Sequence, residues 1–411
     1  MRTTAIVLAC AASYVVASLS DDHTRFQHHV KRDGGHREHA KRAGTVSVKL
    51  THVVRPIGSR GVRRSLATRA ADAAGVHISS HRWSFFTADI TTGSGASAQT
   101  FSVVVDSGSA LLLLGINPAK AYRPGHSAVV GLAHYTASYG DGSVSSTGIM
   151  TLDNTELVPG MGVRAHFGAA SVASSKSLWA ATRADGILGL APSSMLQLQL
   201  GKGWVTYPDE LVKNKIIDAN IVTVLLWRAA AANQVSGEVI FGGYDKSHNF
   251  GSYVFSPRVD IGGYPYWGVH IGIPSLLVSH SSISGAIAHV DTGTTLCYLE
   301  TSAFRAWART VKGAVIDEKL GMISVPKGAQ VPVLHFQIAG HTFALGSEAQ
   351  LLPEYELVGL GLDRNRDWSI WSDGGSTSEG SYTLGARFIE QFSVVFDRVY
   401  DRIGFAYKES S

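Results

Sequence analysis

Beyond His81 the chain alternates apolar and polar residues in short runs broken by Gly, Ser and Asn, the period of strands that bury one face. The runs SFFTADITT, TFSVVVD, GEVIFGGYD, GSYVFSP, YPYWGVHIGIP, VPVLHFQIAG and FSVVFDRVYDRIGFAY all read as strands. Helical spacing is rare. It is confined to 206–214 and to 301–312, where Thr301 is placed to cap the first turn. Polar, Gly- and Ser-rich 363–380 reads as a long surface loop. The pattern is that of an all-β protein.

Two of the apolar runs end alike. FSVVVDSGSALLLL (101–114) and IAHVDTGTTLCYL (287–299) each carry an apolar strand into an Asp, a hydroxyl residue, a Gly, a second hydroxyl residue and another apolar run. At such a strand end Gly permits a tight turn, and small residues let backbone N–H groups approach the carboxylate. Much later in each half comes an apolar pair followed by Gly: Ile187-Leu188-Gly189, and Thr383-Leu384-Gly385 with Thr preceding Leu. The same devices in the same order predict a duplicated β lobe, with 79–245 as the first lobe, 246–411 as the second, and a linker near 244–262. A length of 411 residues suits two cores.

Charge changes the reading of the N-terminal part. Residues 1–78 hold 13 Lys and Arg against 5 Asp and Glu, a balance of +8; the rest holds 36 − 13 = 23 against 32 − 5 = 27, a balance of −4. Met1 to Ser20 combines an early Arg, an apolar run too short to span a bilayer, and small residues near Ala17, the pattern of a secretory signal peptide. The His- and Arg-rich 21–78, with Lys31-Arg32, Lys41-Arg42 and Arg63-Arg64, reads as a basic propeptide with processing sites. Inside it TVSVKLTHVV (45–54) alternates as a strand does. Its natural partner is the acidic body, in a contact that weakens as carboxylates protonate. The expected product is secreted or vacuolar, monomeric, and bound to neither nucleic acid nor membrane. With Cys10 in the signal, Cys297 stands alone and is expected in the core rather than as a nucleophile.

Two acids meeting in one site cannot both ionise readily, so one holds a proton and the pair offers a base and an acid together. That suits hydrolysis of an amide by a water held between them. Ser107 and Thr292 would set the two turns, with Gly108 and Gly293 beside them, while Ser109 and Thr294 would hold the outer carboxylate oxygens. Rival chemistries lack their residues: no HExxH or similar spacing marks a metal site, no Lys follows a Gly-rich loop, and no Gly-x-Ser-x-Gly elbow is present. No metal or cofactor is expected. A glycosidase with paired acids would want aromatic sugar subsites and has no need of twin Gly turns.

The chain resembles the pepsin-like aspartic endopeptidases, closest in flavour to secreted fungal enzymes of the polyporopepsin type. The residues that carry this are DSGS at 106–109, DTGTT at 291–295, YGDGS at 139–143, DGILGLAP at 185–192, GEVIFGGYD at 237–245, Tyr266-Trp267, and TLGARFIEQFSVVFD with RIGFA near the end. The resemblance implies a bilobal fold with its cleft between the lobes, Asp106 and Asp291 as the catalytic pair, and a flap hairpin carrying Tyr139, Gly140 and Asp141 over the substrate. It also implies protein or peptide substrates cut at acid pH, an apolar pocket including Leu178 and Ile187 that favours large hydrophobic residues, and tolerance of Lys before the cut bond through Asp141. One departure stands out. Where the family has Ser-Ser-Asn-Leu-Trp, this chain reads Ser109-Ala110-Leu111-Leu112-Leu113, so the indole that anchors the flap tyrosine is replaced by Leu113. The alternative reading is therefore a weak or inactive pepsin-fold binding or inhibitor protein.

Overall fold

The computed structural model describes residues 14–15, 45–54, 84–139, 144–231, 233–244, 248–278, 281–376 and 382–408. The signal-peptide reading lies outside these residues except for Tyr14-Val15, which pair with Ser138 and Ala137. Gly140 and Asp141 also lie outside them.

Strands form two sheets, as the alternation predicts. The larger, of 14 strands, runs from the flap pair Val129–Tyr139 and Val144–Glu156 through Gln99–Asp106 and Ser84–Thr92 to the C-terminal strands Phe392–Asp397 and Arg402–Lys408, with Asn249–Pro257 at its edge. The smaller, of ten strands, holds Tyr264–Val278, Ser281–Val290 and Tyr382–Leu384. This is the bilobal all-β architecture expected. Its core is mainly Val, Leu, Ile and Phe with the indoles of Trp267, Trp307 and Trp371 buried among them.

The strand read within the basic leader is Val46–Val54, and it is internal. One edge pairs antiparallel with Gln234–Phe241 and the other with Ser84–Thr92. Val46, Val48 and Leu50 are buried in the core, which holds the strand from one face.

The repeat is visible in the backbone. Gly186–Gly189 lies parallel to Gln99–Asp106, with Gly189 opposite Asp106, and antiparallel to Leu112–Leu114. In the second lobe Tyr382–Leu384 lies parallel to the strand ending at Val290 and antiparallel to Tyr298. The Gly after each apolar pair is there for room: a β-carbon on Gly189 would meet the Ala110 carbonyl carbon at 2.5 Å, and one on Gly385 the Leu296 oxygen at 2.0 Å.

Two sequence expectations are corrected. The helix Thr301–Thr310 is capped by Glu300, whose carboxylate accepts from Ser302 N and Ala303 N, while the Thr301 hydroxyl instead donates to Asp373 Oδ1 at 2.6 Å. The 363–380 stretch is not one long loop. It contains the strand Arg366–Asp373, wedged between Met322–Pro326 and Cys297–Leu299, with Ile370 and Trp371 both fully buried. Being covered on both faces it loses the alternation that marks a half-exposed strand. The short helices Lys176–Thr182, Ser193–Leu200, Glu354–Leu360 and Ala386–Ile389 are further additions. Cys297 is buried as read, and burial pushes its thiol up to about 12.

Candidate active site

Each aspartate is delivered by the end of a buried strand and held by the turn it starts. Gly108 N donates to Asp106 Oδ1 at 3.0 Å and Ser109 Oγ to Asp106 Oδ2 at 2.6 Å. Gly293 N likewise donates to Asp291 Oδ1 at 2.8 Å, and the Thr294 hydroxyl makes a short bond to Asp291 Oδ2. Such bonds fix the plane of each carboxylate. The turns are tied back in parallel ways: Leu190 N to Asp106 O at 2.8 Å and Ala191 N to Ser109 O at 2.8 Å in one, Asp291 N to Leu384 O at 3.1 Å and Ala386 N to Thr294 O at 2.7 Å in the other.

The two turns meet through reciprocal bonds. Ser107 N donates to Thr292 Oγ1 and Thr292 N to Ser107 Oγ, both at 2.9 Å. Each hydroxyl passes its own proton across as well, Ser107 to Val290 O at 2.9 Å and Thr292 to Val105 O at 2.8 Å. All four groups are buried, so each bond left unmade would expose an unsatisfied polar atom. Thr292→Val keeps the shape but strands Ser107 N and Val105 O. It is expected to cost about 1–3 kcal/mol in a denaturant melt, and Thr292→Ser to restore most of that.

The carboxylates face one another across the glycines. A β-carbon on Gly293 would lie 2.1 Å from Asp106 Oδ1, and one on Gly108 would lie 2.7 Å from Asp291 Oδ1. Neither glycine has the positive φ that favours glycine. The turn therefore does not need their conformational freedom; the opposite acid needs their missing side chain. Asp106 is 1 % exposed and Asp291 is fully buried.

Around the pair the first lobe supplies an apolar cluster. Tyr139, at the end of the flap strand, is buried with Ala110, Leu111, Leu113, Tyr135, Leu178 and Ile187. Leu113 pairs with Ile187 and Gly168, and Leu178 comes from the helix Lys176–Thr182. Ala110, Leu111 and Leu113 thus share one buried cluster with Tyr135, Ala137 and Tyr139 of the strand Val129–Tyr139, while Leu112 and Leu114 face the main core. From the second lobe Trp267 reaches over, its Nε1 donating to Leu190 O at 2.9 Å, one bond from Asp106.

Two further residues were not singled out as site residues from sequence: His289, and Asp185, which lies away from the acids opposite Ser102 on the strand Gln99–Asp106. Asp185, before the strand Gly186–Gly189, accepts from Asn117 Nδ2 and Lys120 Nζ at 2.7 Å and from Ser102 N at 3.0 Å. Burial alone would raise its pKa, but these donors outweigh burial and hold it below the usual range. His289, two residues before Asp291, is fully buried with its ring 4.9 Å from that of Tyr266. A polar residue inside IAHVD was the available signal.

The eukaryotic aspartyl protease family profile matches residues 85–408. Polyporopepsin of Irpex lacteus is 29% identical over 326 residues, covering 77% of this chain and 93% of that enzyme, and pepsin A of Sus scrofa is 27% identical over 328 residues, covering 77% and 80%. The crystal structure of the aspartic proteinase from Irpex lacteus superposes with a TM-score of 0.69 at 25% identity, over 89% of this chain and 98% of that one. The chain belongs to the eukaryotic aspartyl protease family and is a pepsin-like aspartic endopeptidase.

Proposed function

We propose that the chain is made as a secreted zymogen whose acid-processed form hydrolyses peptide bonds, preferably between large hydrophobic residues, with Asp106 and Asp291 activating a water. The observation that carries this is the interleaving of each carboxylate with the other turn's glycine. Two carboxylates set in one site share a proton, so the ionised member takes a proton from water while the protonated member supplies one to the carbonyl oxygen. Ser109 and Thr294 hold the outer oxygens, leaving the inner ones for water and substrate. The apolar cluster of Leu178, Ile187 and Tyr139 suits a large apolar side chain before the cut bond. Among the described residues no helix is long and apolar enough to cross a membrane.

The leader reading draws support from how Val46–Val54 is held. Lys49 and Ser47 both contact Glu238. His52 is buried between charges of the second lobe: its Nε2 accepts from Arg387 at 3.0 Å and lies 3.3 Å from Glu356, and Arg387 also donates to Glu390 at 2.9 Å. Burial pushes the His52 pKa down, so a docked leader loses stability as pH falls below the free value near 6.5. A protonated His52 would also set a second cation against Arg387. Glu390 works the other way, since burial raises it to about 7 and relieves docking as pH falls. That relief runs from about pH 7 down to its free value of 4.5 and opposes the His52 cost over that range.

We take the His52 cost, with the weakening of the basic strand's contacts to carboxylates as these protonate, to outweigh the Glu390 term, so conversion of the full-length chain, followed by gel and N-terminal sequencing, is expected to be faster at pH 4 than at pH 7. The product should cleave denatured haemoglobin or casein and be stopped by a statine-type transition-state mimic. Absence of inhibitor-sensitive cleavage at pH 3 to 5 would overturn the catalytic reading, and equal conversion at both pH values the leader reading.

A further inference from the structure

The imidazole of His289 has no part in the chemistry above, yet it is the polar group set deepest beside the pair. It lies on the strand Ser281–Val290, opposite Gly268 on one side and Thr383 on the other. It is fully buried, and neither ring nitrogen has a hydrogen-bond partner among the described residues. A buried polar ring in that state costs free energy, and its presence there calls for an explanation. The strand Tyr264–Val278 gives it the ring of Tyr266, the strand Tyr382–Leu384 the neutral Thr383, its own chain Asp291 two residues on, and the first lobe the charge of Asp106. Tyr266 in turn belongs to the apolar cluster that holds Leu111, Leu113 and Tyr139. No cation among the described residues faces the imidazole from these elements, and the one charge acting on it is that of Asp106.

We propose that His289 is a positioning residue of the catalytic pair: under Tyr266 it takes up a proton in the acid range and, as a cation near Asp106, keeps the pair's shared negative charge where two bare aspartates would be losing it. The inference rests on the catalytic reading of Asp106 and Asp291. Burial holds the imidazole down at about 4, with the Asp106 charge pulling it upward. It is therefore neutral near pH 6 and charged at pH 2 to 3, where the acid limb of such an enzyme falls. By reciprocity, a cation that Asp106 favours lowers the first ionisation of the pair. A group whose folded pKa is depressed binds fewer protons folded than unfolded, so the same protonation costs stability progressively from about pH 6.5 down to about 4.

The two consequences have opposite signs, which separates this role from simple packing. With acid-processed protein and a peptide substrate, His289→Leu is expected to move the acid limb of kcat/KM upward by about half a pH unit to one unit. Above pH 5 its kcat/KM should stay within about threefold of the parent, because there the parent's imidazole is neutral and the substitution removes no charge. At the same time the variant should lose less melting temperature between pH 6 and pH 3 than the parent does. His289→Gln keeps a polar side chain that does not titrate, and should show the same displaced limb even if the Leu variant folds poorly. An unmoved acid limb in the Gln variant would overturn the proposal. A readout independent of activity is the histidine proton signal absent from the Gln variant. In full-length Asp106→Asn its titration should shift to lower pH, because the favourable charge is gone. An identical titration with and without the Asp106 charge would equally overturn it. Lack of any cleavage by the parent enzyme, by contrast, would fail the catalytic reading while leaving this coupling measurable.

Discussion

Replacing Gly293 with Ala is expected to reduce kcat/KM by at least about 100-fold, the loss that follows from misplacing a catalytic group by about 1 Å. The added carbon would lie 2.1 Å from Asp106 Oδ1, 2.6 Å from its Cγ and 3.2 Å from its Cβ. An ordinary carbon–oxygen contact needs more than 3 Å, so either Asp106 swings off Gly108 N and Ser109 Oγ or the second turn backs away. The second route breaks the Ser107–Thr292 bonds. Gly108→Ala makes the same intrusion more mildly, at 2.7 Å from Asp291 Oδ1, and should cost less. Kinetics beside circular dichroism on both variants would check the order. Equal, near-parental activity in Gly293→Ala would mean that the turns do not approach as described.

Asp106→Asn is expected to lower kcat by about 10³-fold or more, because an amide can neither accept the water proton nor share one with Asp291. Folding should survive. The Asn oxygen can still accept from Gly108 N, and removing one of two adjacent buried carboxylates relieves their mutual repulsion. A melting temperature at neutral pH equal to or above that of the parent, with cleavage gone, is the expected pairing. Asp291→Asn should behave alike, since the two acids are held by matching bonds. Loss of the fold in both variants would instead mean that the carboxylates are structural.

How much of this could be read from the residues is uneven, and the unevenness has physical causes. The two Asp turns were legible because strand, acid, hydroxyl and Gly follow one another within a few residues, and local order is what sequence displays. Gly189 and Gly385 were legible as a repeat, but not why they are Gly, which depends on Ala110 and Leu296 in other segments. Leu113 announced the missing indole. What took its place did not show, because the packing of Tyr139 against Leu111, Leu113, Leu178 and Ile187 gathers four distant stretches. The strand Arg366–Asp373 was hidden among polar neighbours and covered on both faces. The cluster of His52 with Glu356, Arg387 and Glu390 includes a bond from His52 to Arg387 across 335 positions, beyond any spacing argument. His289 sat in plain view beside Asp291, but a lone His in an apolar strand carries no information until its surroundings are known.

The central claim is that Asp106 and Asp291 work as one proton-sharing unit, and the pH dependence of kcat/KM for a single synthetic peptide tests it most directly. The acid-processed enzyme should give a bell with two limbs in the acid range, both belonging to the pair, and neither single Asn variant should retain an activity with a limb of its own. A variant lacking either acid that still hydrolysed the peptide with an unchanged bell would contradict it.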